Sequence, residues 1–182
     1  MRELTIDSGK ANLWALLLFV PIGILFGLPF YFLWHQNINL HAEIMLIKEH
    51  IFFVLMLLLV FMLIHELLHA LAYLILSKGN YRSISFGLIW KNMTPYCHYK
   101  QPISISKYRI AVFAPGLLTG LIPLSISLAN GSFTLFIGAL FFTLGAVGDF
   151  TILWLLRKEH AQVLIQDHPD KIGCIVLDDK PK

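Results

Sequence analysis

Four stretches of this chain, residues 11–34, 51–77, 110–129 and 131–156, are long apolar runs, and none contains a lysine or an arginine. Each reaches the roughly 20 residues that a helix needs to cross the hydrocarbon of a bilayer. Hydrophobic residues make up 57% of the 182 positions and charged ones only 14%, with a mean hydropathy of +0.71. A soluble globule of this length cannot bury that much apolar surface. The expected fold is therefore an all-α polytopic membrane protein with about four transmembrane helices packed as one bundle. Residues 1–182 form a single domain, in which 78–107 is a loop and 157–182 a tail.

The first run follows a short segment carrying Arg2 and Lys10, as a secretion signal would. It is too long for one, because it continues through Phe30, Tyr31, Phe32 and Trp34 with no small-residue cleavage site. Orientation follows from the basic residues between runs. Lys78, Arg82, Lys91, Lys100 and Lys107 lie in the middle loop, with Arg109 just beyond it, whereas 35–50 holds only Lys48. Positive charge favours the cytoplasmic side, so the middle loop and both termini are expected there, and the Arg157-Lys158 pair that opens the tail agrees. The expected location is the cell membrane, with the lipid bilayer as partner. The net charge of +3 comes without a dense basic block, which argues against nucleic acid. Cys97 and Cys174 fall on the reducing side and form no Cys-x-x-Cys pair, so neither a disulfide nor structural zinc is expected.

Between the runs, residues 81–90 and 93–99 alternate partly between polar and apolar around a turn-like Lys91-Asn92, which reads as two short strands. In the tail, Val163-Leu164-Ile165 and Cys174-Ile175-Val176-Leu177 flank Asp167-His168-Pro169-Asp170 as a second strand-turn-strand.

Chemistry is concentrated in four residues inside the apolar runs: His65, Glu66, His69 and Asp149. Ionisable groups in hydrocarbon are costly unless they are paired or bound to a metal. Three of the four form His65-Glu66-Leu67-Leu68-His69. On a helix, residues four apart share a face, so the two imidazoles can hold one metal ion, while Glu66 sits about 100° around, in reach of a water but not of the ion. A catalytic zinc generally has three protein ligands, and Asp149 is the remaining buried acid. If runs two and four descend in parallel, Asp149 lies about 1.5 Å from the level of His69 and about 7.5 Å from that of His65. Gly145 and Gly148 beside it would let the fourth run approach another helix closely. Zinc so held would activate a water with Glu66 as general base and then general acid, hydrolysing a peptide bond.

These residues resemble two related groups. A His-Glu-x-x-His motif in a hydrophobic helix, with an aspartate on a later one, looks like the site-2 type of intramembrane metalloprotease. The overall pattern, from the second run to Asp167-His168-Pro169-Asp170-Lys171-Ile172-Gly173, is closer to a small bacterial membrane family described as putative zincin peptidases. One zinc ion at His65, His69 and Asp149, Glu66 as base, and a membrane protein or peptide as substrate are what the resemblance implies. Site-2 proteases commonly place glycine after the ligand aspartate, whereas here Gly148 precedes Asp149 and Phe150 follows.

Other polar groups carry less. His98 reads as a loop residue, and His35, His41, His50, His160 and His168 as solvated or headgroup-facing. Ala114-Pro115-Gly116 marks a kink or close packing in the third run. The strand-like segment 82–90 offers an edge for pairing with an extended substrate. The alternatives to an enzyme are a metal or proton transporter and a non-catalytic scaffold. Glu66 argues against the first, and the presence of all four residues against the second.

Overall fold

A computed structural model describes residues 1–77, 79–90, 94–168 and 171–177. Lys78, the turn at Lys91-Asn92 with Met93, and Pro169-Asp170 lie outside the described residues. The chain begins with a strand, β1 (Arg2–Ile6), and then forms the long helix α1 (Ser8–Trp34), capped at its start by the Asp7 carboxylate accepting from the Gly9 N–H. A short helix α2 (Leu40–Glu49) follows, with the Asn39 side chain accepting from the Ala42 N–H. Next comes α3 (Ile51–Ser77), which carries the two histidines. The middle segment contributes the hairpin β2 (Ile84–Ile89) and β3 (Thr94–Tyr99) and a two-residue strand β4 (Ile103–Ser104). From there α4 (Ile105–Pro115), a π-helical segment at Gly116–Leu121 and α5 (Ile122–Asn130) run on as one 26-residue element. Helices α6 (Phe133–Gly145) and α7 (Val147–Leu156) meet at Ala146 with a 42° bend, and the tail adds β5 (Leu164–Asp167) and β6 (Ile172–Leu177).

Strands correct the all-α expectation. A four-stranded antiparallel sheet runs β1-β6-β5-β4, and β2 and β3 form a second, two-stranded one. The hairpin and the tail strands fall where the alternation of residues 81–99 and 163–177 indicates. The N-terminal β1 had no such signal, because its pairing partner, Arg2 against Val176, lies at the far end of the chain. The fourth expected helix is a bent pair, α6 and α7, which passes as a membrane span only if the two are taken together. Among the described residues three elements are long and apolar enough to cross a membrane, at Leu16–Trp34, Ile51–Ser77 and Ile105–Asn130; the fourth run is broken at Ala146.

The larger sheet gathers the N-terminus, the middle segment and the tail at one end of the helices. Ile103, Ile165, Cys174 and Val176 are almost fully buried there, against Tyr73 of α3, Tyr108 of α4 and Leu156 of α7. Gly173 makes β1 possible. Its φ is +130°, and a Cβ would stand 2.2 Å from the Leu4 carbonyl oxygen, so a side chain here would push β1 off the sheet. Arg109 joins α4 to this end by donating to the carbonyls of Leu156 and, at 3.0 Å, Glu159. Along the helices the pattern inverts, with Leu16, Phe32, Phe52 and Ile75 exposed by 66–76%. Apolar surface turned outward on this scale marks a face for contact with a membrane or with other protein.

Candidate metal centre

Helix α3 presents His65 and His69 on one face because 3.6 residues per turn bring positions four apart together. Their ring centroids are 5.1 Å apart. Both Nε2 atoms face one carboxylate oxygen, with Asp149 Oδ2 at 3.1 Å from His65 and 3.4 Å from His69. One donor atom from each of the three residues lies within 4.8 Å of the other two, and the three side chains are at most 19% exposed.

Asp149 reaches both histidines because the fourth run is not one straight helix. The break at Ala146 starts a new helix, and Asp149 occupies its first turn, where the helix dipole favours a carboxylate. Depth counted along a straight helix puts Asp149 level with His69, and the bend removes that bias. Gly145 and Gly148 also differ from expectation. A Cβ on either would meet nothing within 4 Å, so these glycines border open space instead of a neighbouring helix.

The remaining ring nitrogens define the tautomers. The Thr119 hydroxyl donates to the Pro115 carbonyl at 2.8 Å, which leaves its oxygen to accept from His65 Nδ1–H at 3.1 Å. The Ala111 carbonyl can only accept, so His69 Nδ1 donates to it, also at 3.1 Å. In neutral imidazoles held this way, both Nε2 lone pairs point at Asp149. Three electron-rich donors in mutual contact suit a cation, and the spacing fits zinc: ligands held tetrahedrally at about 2.0–2.1 Å are about 3.3 Å apart.

Glu66, next along α3, lines the same cavity of about 620 Å³ together with the three metal-directed residues. Met62, Val112, Phe141, Phe142 and Ile152 give the cavity apolar walls on the helix side. Its other wall comes from the hairpin, through Leu88, Ile89, Tyr96, Cys97 and His98, and from the tail, through Asp167, Lys171 and Gly173. His98 thus belongs to the cavity wall, its ring tilted against that of Tyr96 with centroids 4.4 Å apart, and burial holds its imidazole below its ordinary value. Burial likewise pushes the Cys97 thiol up to about 12.

Sequence reasoning missed Asp167, whose carboxylate accepts from the Tyr108 hydroxyl at 2.5 Å and the Tyr99 N–H at 2.7 Å. Burial raises its pKa above the ordinary carboxylate range. It also missed Thr119 and the Ala111 carbonyl, for which the only signal was Pro115. His168 is corrected from solvated to buried, with 6% exposure; its Nδ1 accepts from the Lys171 N–H, and its Nε2 lies 3.5 Å from Glu3. His160 is exposed, and His35 stacks on Tyr31 beyond the far end of α1.

A bundle of apolar helices holding a two-histidine, one-carboxylate donor group beside a glutamate defines a candidate metallohydrolase. Residues 58–164, more than half of the chain and including all four of these positions, match a family model described as putative zincin peptidase. The chain belongs to that family. No curated protein and no solved structure matches it.

Proposed function

We propose that this protein is a membrane-embedded zinc peptidase that cleaves membrane-associated or transmembrane substrates, in the manner of site-2 type proteases. The observation that carries the proposal is the convergence of His65 Nε2, His69 Nε2 and Asp149 Oδ2, at 3.1 and 3.4 Å, in the wall of a cavity that also holds Glu66. His65, His69 and Asp149 would hold the ion. Zinc, when bound, supplies a Lewis acid that lowers the pKa of a water to about 7 and polarises a carbonyl.

The rest is the work of this chain's own side chains. Glu66 takes a proton from the attacking water and delivers it to the departing amine, serving first as base and then as acid. It suits that task because it shares the cavity with the ligands while standing about 100° from His65 around α3. Met62, Phe141 and Phe142 seat apolar substrate side chains and thin the water around the reacting bond. The hairpin bordering the same cavity supports a role in holding the substrate extended, by strand addition along its edge.

The charge pattern supports an orientation in which the sheet-bearing end, with both termini, faces the cytoplasm. Metal analysis of the purified protein tests the ligand set. Wild type should carry one zinc per chain, and His65→Ala and Asp149→Asn should each lose it. Undiminished zinc in Asp149→Asn would break the three-ligand site, and a wild type that transports the metal without cleaving any protein would replace the peptidase by a carrier.

A further inference from the structure

Proline at position 115 has no N–H, so the carbonyl four residues earlier, that of Ala111, loses its ordinary helical donor. The next N–H along, that of Gly116, bonds instead to Phe113. The freed Ala111 oxygen accepts from His69 Nδ1 at 3.1 Å. The helix then passes into the π-helical segment Gly116–Leu121, a local widening that often marks functional positions. Thr119 stands in that segment, four residues after Pro115, and is only 4% exposed. Its hydroxyl hydrogen is committed to the Pro115 carbonyl, which turns the oxygen into an acceptor for His65 Nδ1–H. One break in one helix thus supplies an acceptor to each histidine.

We propose that Pro115 and Thr119 are positioning residues that fix both histidines in the Nδ1–H tautomer with Nε2 free for zinc, so that the donor set is built before the ion arrives. The proposal rests on His65, His69 and Asp149 forming a zinc site. Neither residue touches the ion; each acts through an imidazole. Gly120 helps hold the segment in place, because its bare Cα lies against Thr143 of α6, where a Cβ would meet the hydroxyl at 2.8 Å and the backbone N and Cα at 3.0 Å.

The test is zinc affinity of the full chain in detergent, measured by competition with a chromophoric chelator. Thr119→Val keeps the shape of the side chain but removes the acceptor, and Thr119→Ser keeps the acceptor. Loss of a partner that orients a ligand histidine typically weakens metal binding about 10–100-fold. Thr119→Val should bind zinc that much more weakly than wild type, with an unchanged metal-free melting temperature, while Thr119→Ser stays within a few-fold of wild type. Pro115→Ala restores an N–H that competes for the Ala111 carbonyl, and it should weaken binding in the same range. Wild-type affinity in both Thr119→Val and Pro115→Ala would overturn the positioning role, as would a Thr119→Ser variant as weak as Thr119→Val. In either case the zinc site itself would stand. A wild type that binds no zinc would instead remove the site on which the proposal rests.

Discussion

Filling the cavity from its glycine side separates stability from catalysis in a way that a disrupted fold cannot imitate. Gly138 of α6 and Gly148 of α7 would each carry a Cβ with nothing within 4 Å, yet only Gly148 lines the cavity beside Asp149. Replacing an unhindered helix-interior glycine by alanine stabilises by about 0.5–1 kcal/mol, since alanine loses less backbone freedom on folding. For a chain of this length that amounts to about 1–4 °C in melting temperature at Gly138, and to the lower part of that range at Gly148 in the first turn of α7. Leucine at the two positions then differs in consequence. Gly138→Leu should retain full peptidase activity. Gly148→Leu puts an isobutyl group where substrate side chains would sit, and exclusion from an apolar pocket is worth about 1–3 kcal/mol, so kcat/KM should fall about 10-fold or more. Melting curves in detergent, with and without zinc, and steady-state cleavage of a membrane-anchored substrate supply both readings. Equal kcat/KM in Gly148→Leu and Gly138→Leu would refute the assignment of the cavity to substrate, and a fall in melting temperature for Gly148→Ala would refute the space assigned beside it.

Two further outcomes follow from the packing and the charges. Gly120→Ala forces a Cβ against the Thr143 backbone, an overpacking of about 1–3 kcal/mol that should lower the melting temperature and, by shifting Thr119, also weaken zinc binding; an unchanged melting temperature would contradict the close approach of the π segment to α6. Burial holds the Asp167 carboxyl above its ordinary value, so the folded state binds that proton more tightly than the unfolded chain. The resulting stabilisation is full below the unfolded value of about 3.9 and is lost as pH rises through the folded one. Metal-free wild type should therefore gain melting temperature relative to Asp167→Asn between about pH 7 and about pH 4.5. A difference that stays flat across that interval would refute the shift.

The metal-directed residues were legible in the sequence because hydrocarbon makes ionisable groups conspicuous. His65 and His69 needed only helical spacing, and Asp149 was the one acid left in the apolar runs. What spacing could not give was how Asp149 reaches both histidines, since that depends on the break at Ala146, where the local sequence of small residues is compatible with a continuous helix. Strands at 84–99 and 164–177 showed in their alternation, yet β1 did not, because five residues at the N-terminus acquire their meaning from a partner some 170 positions away. Helix α2 was hidden inside what read as a loop, its Asn39 cap and Lys48 near the end being visible only once the helix is known. Pro115 was legible as a disturbance of the third run. Its consequence, a carbonyl released to a histidine on another helix, requires the packing of α3 against α4. The same holds for Thr119, an ordinary polar residue until the π segment turns its oxygen toward His65.

The most direct test of zinc peptidase activity is a comparison of wild type with Glu66→Gln, measuring bound zinc in the purified proteins and new N-termini of membrane proteins in cells expressing each. Because Glu66 moves protons and does not hold the ion, Glu66→Gln should retain one zinc per chain with near wild-type affinity while the cleavage products seen with wild type disappear. Unchanged cleavage in zinc-loaded Glu66→Gln would contradict the role of Glu66 as base, and with it the assignment of this cavity as a peptidase active site.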